Sequence, residues 1–171
     1  TSGGGTFVSQ HGFVGTVSGT YTIQVTYGTI ATITVVSINH AESTLLRIAP
    51  VYTVITAGEA IDYQATATDM YDNQWDVTDA ATFTTSGGSL LANHFTGTAC
   101  GTYMITAVYK GQPAAATVTI NHAAPAGLSL APIDVAATAG SNVEYHATAT
   151  DTYGNTWDVS DVATFTSSGG D

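Results

Sequence analysis

The fifteen residues from Ala65 to Asp79 return 82 positions later as Ala147 to Asp161, with eleven of the fifteen unchanged. Each copy reads as a hairpin. Alternating Ala and Thr lead into a Tyr71-Asp72-Asn73 or Tyr153-Gly154-Asn155 turn, and a short strand leaves through Trp75 or Trp157. A fixed period of this length marks a repeat architecture. The period reaches further. Tyr21 matches Tyr103, and Ile38-Asn39-His40 matches Ile120-Asn121-His122. The stretch from Ser89 to His122 has no counterpart after Asp171; its counterpart lies at the other end of the chain. The sequence therefore predicts half a domain over residues 1–40, a complete domain over 41–122, and the complementary half over 123–171.

The residues between these landmarks alternate at the period of a strand. Residues 20–27 and 30–38 form one such pair around Gly28, and residues 101–109 and 115–120 form its later copy around Lys110-Gly111. A first strand through Leu45, Leu46 and Ile48 is interrupted by Pro50 and resumes through Val54 and Ile55 to the Ala57-Gly58 turn. Seven or so short strands with turns every eight to twelve residues predict an all-β chain of tandem β-sandwiches, one complete and flanked by two complementary halves. Trp75, Trp157, Tyr63, Tyr103, Phe83, Ile105 and Val118 are the expected core, together with Leu46, Ile48, Ala65 and Ile120. Trp75 stands where such a sandwich keeps its buried tryptophan.

Composition narrows the function classes. Charged residues make up 9% of the 171, and the net charge is −11 with only Arg47 and Lys110 basic, so phosphate backbones and anionic membranes are repelled and nucleic acid is excluded as a partner. The acidity keeps an otherwise apolar chain soluble. Cys100 is single, which rules out an intrachain disulfide and predicts a packed thiol. No apolar run reaches the roughly eighteen residues that a spanning helix needs. A chain that begins without Met is expected to be processed or cut from something longer, and Thr-rich tandem β-domains favour an extracellular or cell-surface location.

The phrases Thr56-Ala57-Gly58, Ala65-Thr66-Ala67-Thr68-Asp69 with Tyr71 and Asn73, Gly101-Thr102-Tyr103, and Ala116-Thr117-Val118-Thr119-Ile120 resemble the immunoglobulin-like repeats of prokaryotic surface proteins, the bacterial Ig-like or Big families. The resemblance covers essentially the whole chain. It implies spacers and stalks in adhesins, surface layers and filaments, and it carries no shared active site.

No nucleophile elbow, phosphate loop or Cys/His pair is present, so an enzyme is not expected and no catalytic or cofactor-binding residue is assigned. Asp69, Asp72, Asp76 and Asp79 are the candidate metal ligands, with calcium the cation such oxygens would hold. Asx-turns account for the same residues without a metal, and Asp72 becomes Gly154 in the second copy. His40 and His122 recur in an Asn-His tail and read as polar hinge residues.

Two broken halves leave strand edges that need a cap. Completion of one molecule's C-terminal half by the N-terminal half of the next generates an open, head-to-tail homopolymer. The residues expected at that joint are Tyr21, Ile23, Val25, Ile33, Val35, Ile38, Val143, Tyr145, Trp157 and Phe165, in a filament or surface array that other cell-surface components could join. The alternative is an adhesin stalk or binding module, with calcium-stiffened or carbohydrate-binding repeats, cut from a longer surface protein. A large calcium-dependent rise in melting temperature would mark that alternative.

Overall fold

The structure, a computed structural model, describes residues 4–169. Residues 1–3 and 170–171, which fall in the two terminal pieces of the predicted division, lie outside it. The described chain is almost all β, with one short 3-10 turn at Thr78–Ala80 and no α-helix.

The strands, in chain order, are β1 (Gly5–Phe7), β2 (Phe13–Gly15), β3 (Gly19–Tyr27), β4 (Ile30–Ile38), β5 (Ser43–Ala49), β6 (Tyr52–Thr56), β7 (Ala60–Asp62), β8 (Gln64–Asp69), β9 (Gln74–Asp76), β10 (Thr82–Thr85), β11 (Ser89–Leu91), β12 (His94–Thr96), β13 (Gly101–Tyr109), β14 (Gln112–Asn121), β15 (Pro125–Ala131), β16 (His146–Asp151) and β17 (Thr156–Asp158). They form sheets ordered β1-β2, β3-β4, β5-β8-β9, β10-β13-β14-β6, β11-β12-β7 and β15-β16-β17.

The chain falls into two compact units, one drawn from Thr1–Val51, Tyr63–Thr84 and Ile105–Ala116, the other from Tyr52–Asp62, Thr85–Met104 and Thr117–Asp171. This division cuts through residues 41–122, because β13 and β14 contribute to both.

In the first unit, β5 and β8 pair antiparallel from Leu45↔Thr68 to Ala49↔Gln64, and β9 extends the sheet through Ala67↔Trp75. The Ala-Thr alternation of β8 puts Ala65 and Ala67 inside. They are buried with Leu46, Ile48, Tyr63 and Val77, and with Ile105, Ala107 and Ala116 from β13 and β14. Burying a side chain such as Leu46, Ile48 or Ile105 contributes about 1.5–3 kcal/mol. The β3-β4 hairpin belongs to the same unit and pairs without a break from Gly19↔Ile38 to Tyr27↔Ile30.

In the second unit, β6 lies parallel to β14 through Val118↔Thr53, and β7 antiparallel to β12 through Phe95↔Ile61. Phe95, Val118, Ile120, Ile55 and Ala57 are buried here. The β15-β16-β17 sheet repeats the register of β5-β8-β9, with Leu128↔Ala149 and Ala149↔Trp157.

The predicted core needs correction at four positions. Trp75, Trp157, Phe83 and Tyr103 are half-buried rather than interior. The β9 and β17 strands are three residues long and lie at the edges of their sheets, so each indole covers an outer margin. Cys100 is exposed, not packed.

Equivalent positions in the repeat do not give equivalent structure everywhere. Residues 134–138, 142–144 and 164–167 stand 82 positions after β6, β7 and β10, and the last of them keeps three of four residues, yet none of them is a strand. In the middle copy those strands are held by β14, β12 and β13 respectively. The first part of the motif keeps its sheet because all three of its strands, β15, β16 and β17, lie together within residues 125–158. Among the described residues no strand pairs with the other three segments.

Candidate functional site

The Asp-x-Tyr-x-Asn phrase shared by the two copies builds a clasp that occurs twice. In the first copy, Asp69 ends β8 and folds back over the turn to β9. One carboxylate oxygen accepts the backbone N–H groups of Tyr71 (2.9 Å) and Asn73 (3.0 Å), an Asx-turn; the other accepts Ala41 N–H (2.7 Å) and Asn73 Nδ2 (2.8 Å). Asn73 is held by its bond to Asp69, and its amide faces the loop between β2 and β3. There Nδ2 donates to Thr16 O and Oδ1 accepts Ser18 N–H, both at 2.8 Å. The turn residue between them, Asp72, has φ +64, the left-handed region that its copy Gly154 occupies at +85.

The second clasp repeats the first. Asp151 accepts from Ala123 N–H, Tyr153 N–H, Asn155 N–H and Asn155 Nδ2, all between 2.7 and 2.9 Å. Asn155 in turn donates to Thr98 O and accepts Cys100 N–H, each at 2.8 Å. The Asn-His tails close both sites. His40 stacks on Trp75 with centroids 3.6 Å apart and planes 6° from parallel, and His122 on Trp157 at 3.6 Å and 5°. These histidines are ring-stacked latches, a finer role than that of a polar hinge.

Both clasp carboxylates are buried, Asp69 at 2% and Asp151 at 4% exposure. Burial pushes their protonation upward, and the hydrogen bonds from Asn73 or Asn155, together with the three backbone donors, outweigh it and hold each near pH 2. Because the folded value lies below the ordinary 3.8, the stabilising contribution is full above pH 3.8 and is lost as the pH falls towards about 2. Amide exchange at Ala41 and Tyr71, followed from pH 5 to pH 2 with intrinsic rates removed, is expected to stay slow until about pH 3.8 and to accelerate below it. Acceleration beginning at the top of that range would contradict the assignment.

The other candidate ligands do not gather around this carboxylate. Asp76 accepts Thr78 N–H at 2.7 Å and Gln64 Nε2 at 2.7 Å; hydrogen bonds from Thr78 first, then Gln64, hold its carboxyl below the ordinary range. Asp72 and Asp79 are exposed. Among the described residues no three His, Cys, Asp or Glu side chains converge as a metal group would require.

The ten residues expected at a polymer joint lie in the two terminal pieces. Val25 (61%), Ile33 (65%), Val35 (61%), Tyr145 (43%) and Phe165 (49%) are exposed. Tyr21, Ile23, Ile38 and Val143 are half-buried. The Tyr21 hydroxyl donates to Val17 O at 3.0 Å. Trp157 is half-buried and stacks on His122, as Trp75 does on His40. Leu130, Pro132, Ile133, Tyr145 and Phe165 line an open cleft of about 690 Å³ in the second unit.

Sequence reasoning marked Asp69 and Asn73 but missed Thr16, Ser18 and the histidine stacks. The signal was present: Gly15-Thr16 and Gly97-Thr98 share the 82-residue period with Asp69/Asp151 and Asn73/Asn155.

No family model matches the chain, and no curated relative matches it. The solved structures that it is loosely similar to include the following three. The crystal structure of the S-layer protein rSbsC shares a TM-score of 0.35 and 18% identity over 91% of this chain and 23% of its own. Domains 1–6 of the surface layer protein SbsC give 0.35 and 18% over 96% and 24%; domains 4–9 give 0.35 and 20% over 94% and 28%. The chain thus spans about a quarter of the length of the proteins it is similar to. No helix among the described residues is long and apolar enough to cross a membrane.

Proposed function

We propose that this chain is a non-catalytic structural subunit of an extracellular filament or cell-surface array, made of immunoglobulin-like sandwich repeats of the prokaryotic surface-protein type. Residues 41–122 are one complete domain, and residues 123–171 of one copy are completed by residues 1–40 of the next, head to tail.

The observation that carries this reading is the contrast between repeat-equivalent residues. Leu46, Ile48 and Tyr63 are 4%, 3% and 1% exposed, and their copies Leu128, Leu130 and Tyr145 are 69%, 47% and 43% exposed. On the other piece, Ala107 is 0% exposed and its copy Val25 is 61% exposed. The middle copy supplies the template for what covers these surfaces. Its β12, β13 and β14 hold β7, β10 and β6, and their copies β2, β3 and β4 lie in the N-terminal piece. Carrying the observed register across by one period places Val36 of one copy beside Val135 of another, parallel, and Phe13 beside Val143, antiparallel. The gain is the burial of several large apolar side chains, each worth about 1.5–3 kcal/mol, and three strands that recover their backbone hydrogen bonds.

The test is disulfide trapping of that register. A variant carrying Cys100→Ser, Val36→Cys and Val135→Cys is expected, on mild oxidation, to give a ladder at multiples of 17.5 kDa on a non-reducing denaturing gel, collapsing to one band on reduction. Either single-cysteine variant gives no ladder. A product that stays at monomer mass, whether unlinked or closed on itself, sinks the head-to-tail reading.

A further inference from the structure

We infer that Tyr71 of one copy seats its ring on the Ala139-Gly140 turn of the neighbouring copy, so that the joint is locked by an aromatic-on-glycine contact as well as by strand pairing. This rests on the head-to-tail reading above and adds a residue-level contact that strand completion alone does not require.

The template again lies within the chain. At the Ala57-Gly58 turn, Gly58 has φ +91 and Glu59 N–H donates to Thr56 O at 2.9 Å. A Cβ built on Gly58 would collide with the phenol of Tyr153, which lies across the glycine. Tyr153 is aimed there by the second clasp, its N–H held by Asp151 at 2.9 Å. Glycine is therefore required twice at this position, by the left-handed backbone and by the ring above it.

Both halves of a second such contact are present and preformed, but on different parts of the chain. Gly140 has φ +88, and Ser141 N–H donates to Thr138 O at 2.9 Å, the same turn as at Gly58. Nothing lies within 4 Å of a Cβ built there. The turn keeps its shape although the strands that flank it in the middle copy are absent around it. Tyr71 is the repeat equivalent of Tyr153, with its N–H held by Asp69 at the same 2.9 Å, and each of these tyrosines is 48% exposed.

The occupant follows from the order of the repeat. When β2, β3 and β4 of a second copy complete the C-terminal sheet of the first, the next hairpin along is the second copy's own, Asp69 to Asn73. That hairpin is already bound to Thr16 and Ser18 of its own chain. Tyr71 then reaches Gly140 as Tyr153 reaches Gly58.

The experiment is photo-crosslinking from a benzoylphenylalanine placed at position 71, in polymer assembled from mixed isotope-labelled and unlabelled chains. The expected product joins position 71 to the peptide containing Gly140 of a different copy. The same probe at position 153 should capture the Gly58 turn of its own chain. Tyr71→Ala is expected to raise the critical concentration for assembly roughly tenfold, the scale of one lost aromatic anchor, and Met70→Ala to leave it unchanged. If the Val36–Val135 ladder forms and the probe at 71 captures anything other than the Gly140 turn, the seat is wrong and the filament reading stands. If neither forms, both fall.

Discussion

Tyr63→Ala is expected to cost about 3–5 kcal/mol of unfolding free energy, while Tyr145→Ala, the same change at the same repeat position, costs less than about 1 kcal/mol in the isolated chain. The phenol of Tyr63 is 1% exposed and that of Tyr145 is 43% exposed, so truncation opens a cavity in one case and trims a surface in the other. Denaturant unfolding of the monomer measures both. The ranking should change in the polymer. On the head-to-tail proposal the Tyr145 ring would be covered by a neighbour's strands, and its removal is expected to abolish assembly, which sedimentation reads directly. Equal costs at the two positions in the monomer would mean that the C-terminal piece already closes its own core, and the argument for completion by a neighbour would be lost.

Asn73→Ala should release the loop between β2 and β3. The substitution removes the bonds to Thr16 O and Ser18 N–H and the one that orients Asn73 itself against Asp69. At about 1 kcal/mol net for each bond, the loss is about 2–3 kcal/mol, or roughly a hundredfold faster amide exchange at Ser18. Asn155→Ala should act in the same way on Cys100 N–H, which Asn155 alone is shown to hold. Fast exchange confined to the turn residues themselves, with Ser18 still protected, would show that the clasp is a local turn device and holds nothing across 55 residues of sequence. Aspartate at position 73 is a sharper probe. It keeps the acceptor for Ser18 but loses the donor to Thr16 and sets a second carboxylate against Asp69.

Much of the local chemistry was legible in the sequence. The alternation of Ala and Thr determined which side of β8 and β16 faces inward, since a strand exposes its side chains to opposite faces at a period of two. Asp69 and Asp151 were legible as turn residues because an Asx-turn is satisfied by neighbours two and four positions away. The period of 82 residues located every equivalent pair used above. The burial of Trp75 was not legible, because an indole in the middle of a three-residue edge strand has the same sequence neighbours whether a second layer covers it or a histidine does. Thr16 left a trace only in the period it shares with Thr98, and Ser18, whose counterpart is Cys100, left none, because both offer only backbone groups to the clasp.

The clearest division lies in residues 164–167. Their counterparts at 82–85 differ from them only in Thr85 for Ser167 and form β10, and they themselves form no strand. Sequence alone determined the hairpins and Asx-turns, whose hydrogen bonds close over a few residues. Tertiary structure decided which of the other segments became strands, because β6, β7 and β10 draw their partners from β14, β12 and β13, outside the repeated three-strand unit, and a strand exists only where another backbone is there to pair with it.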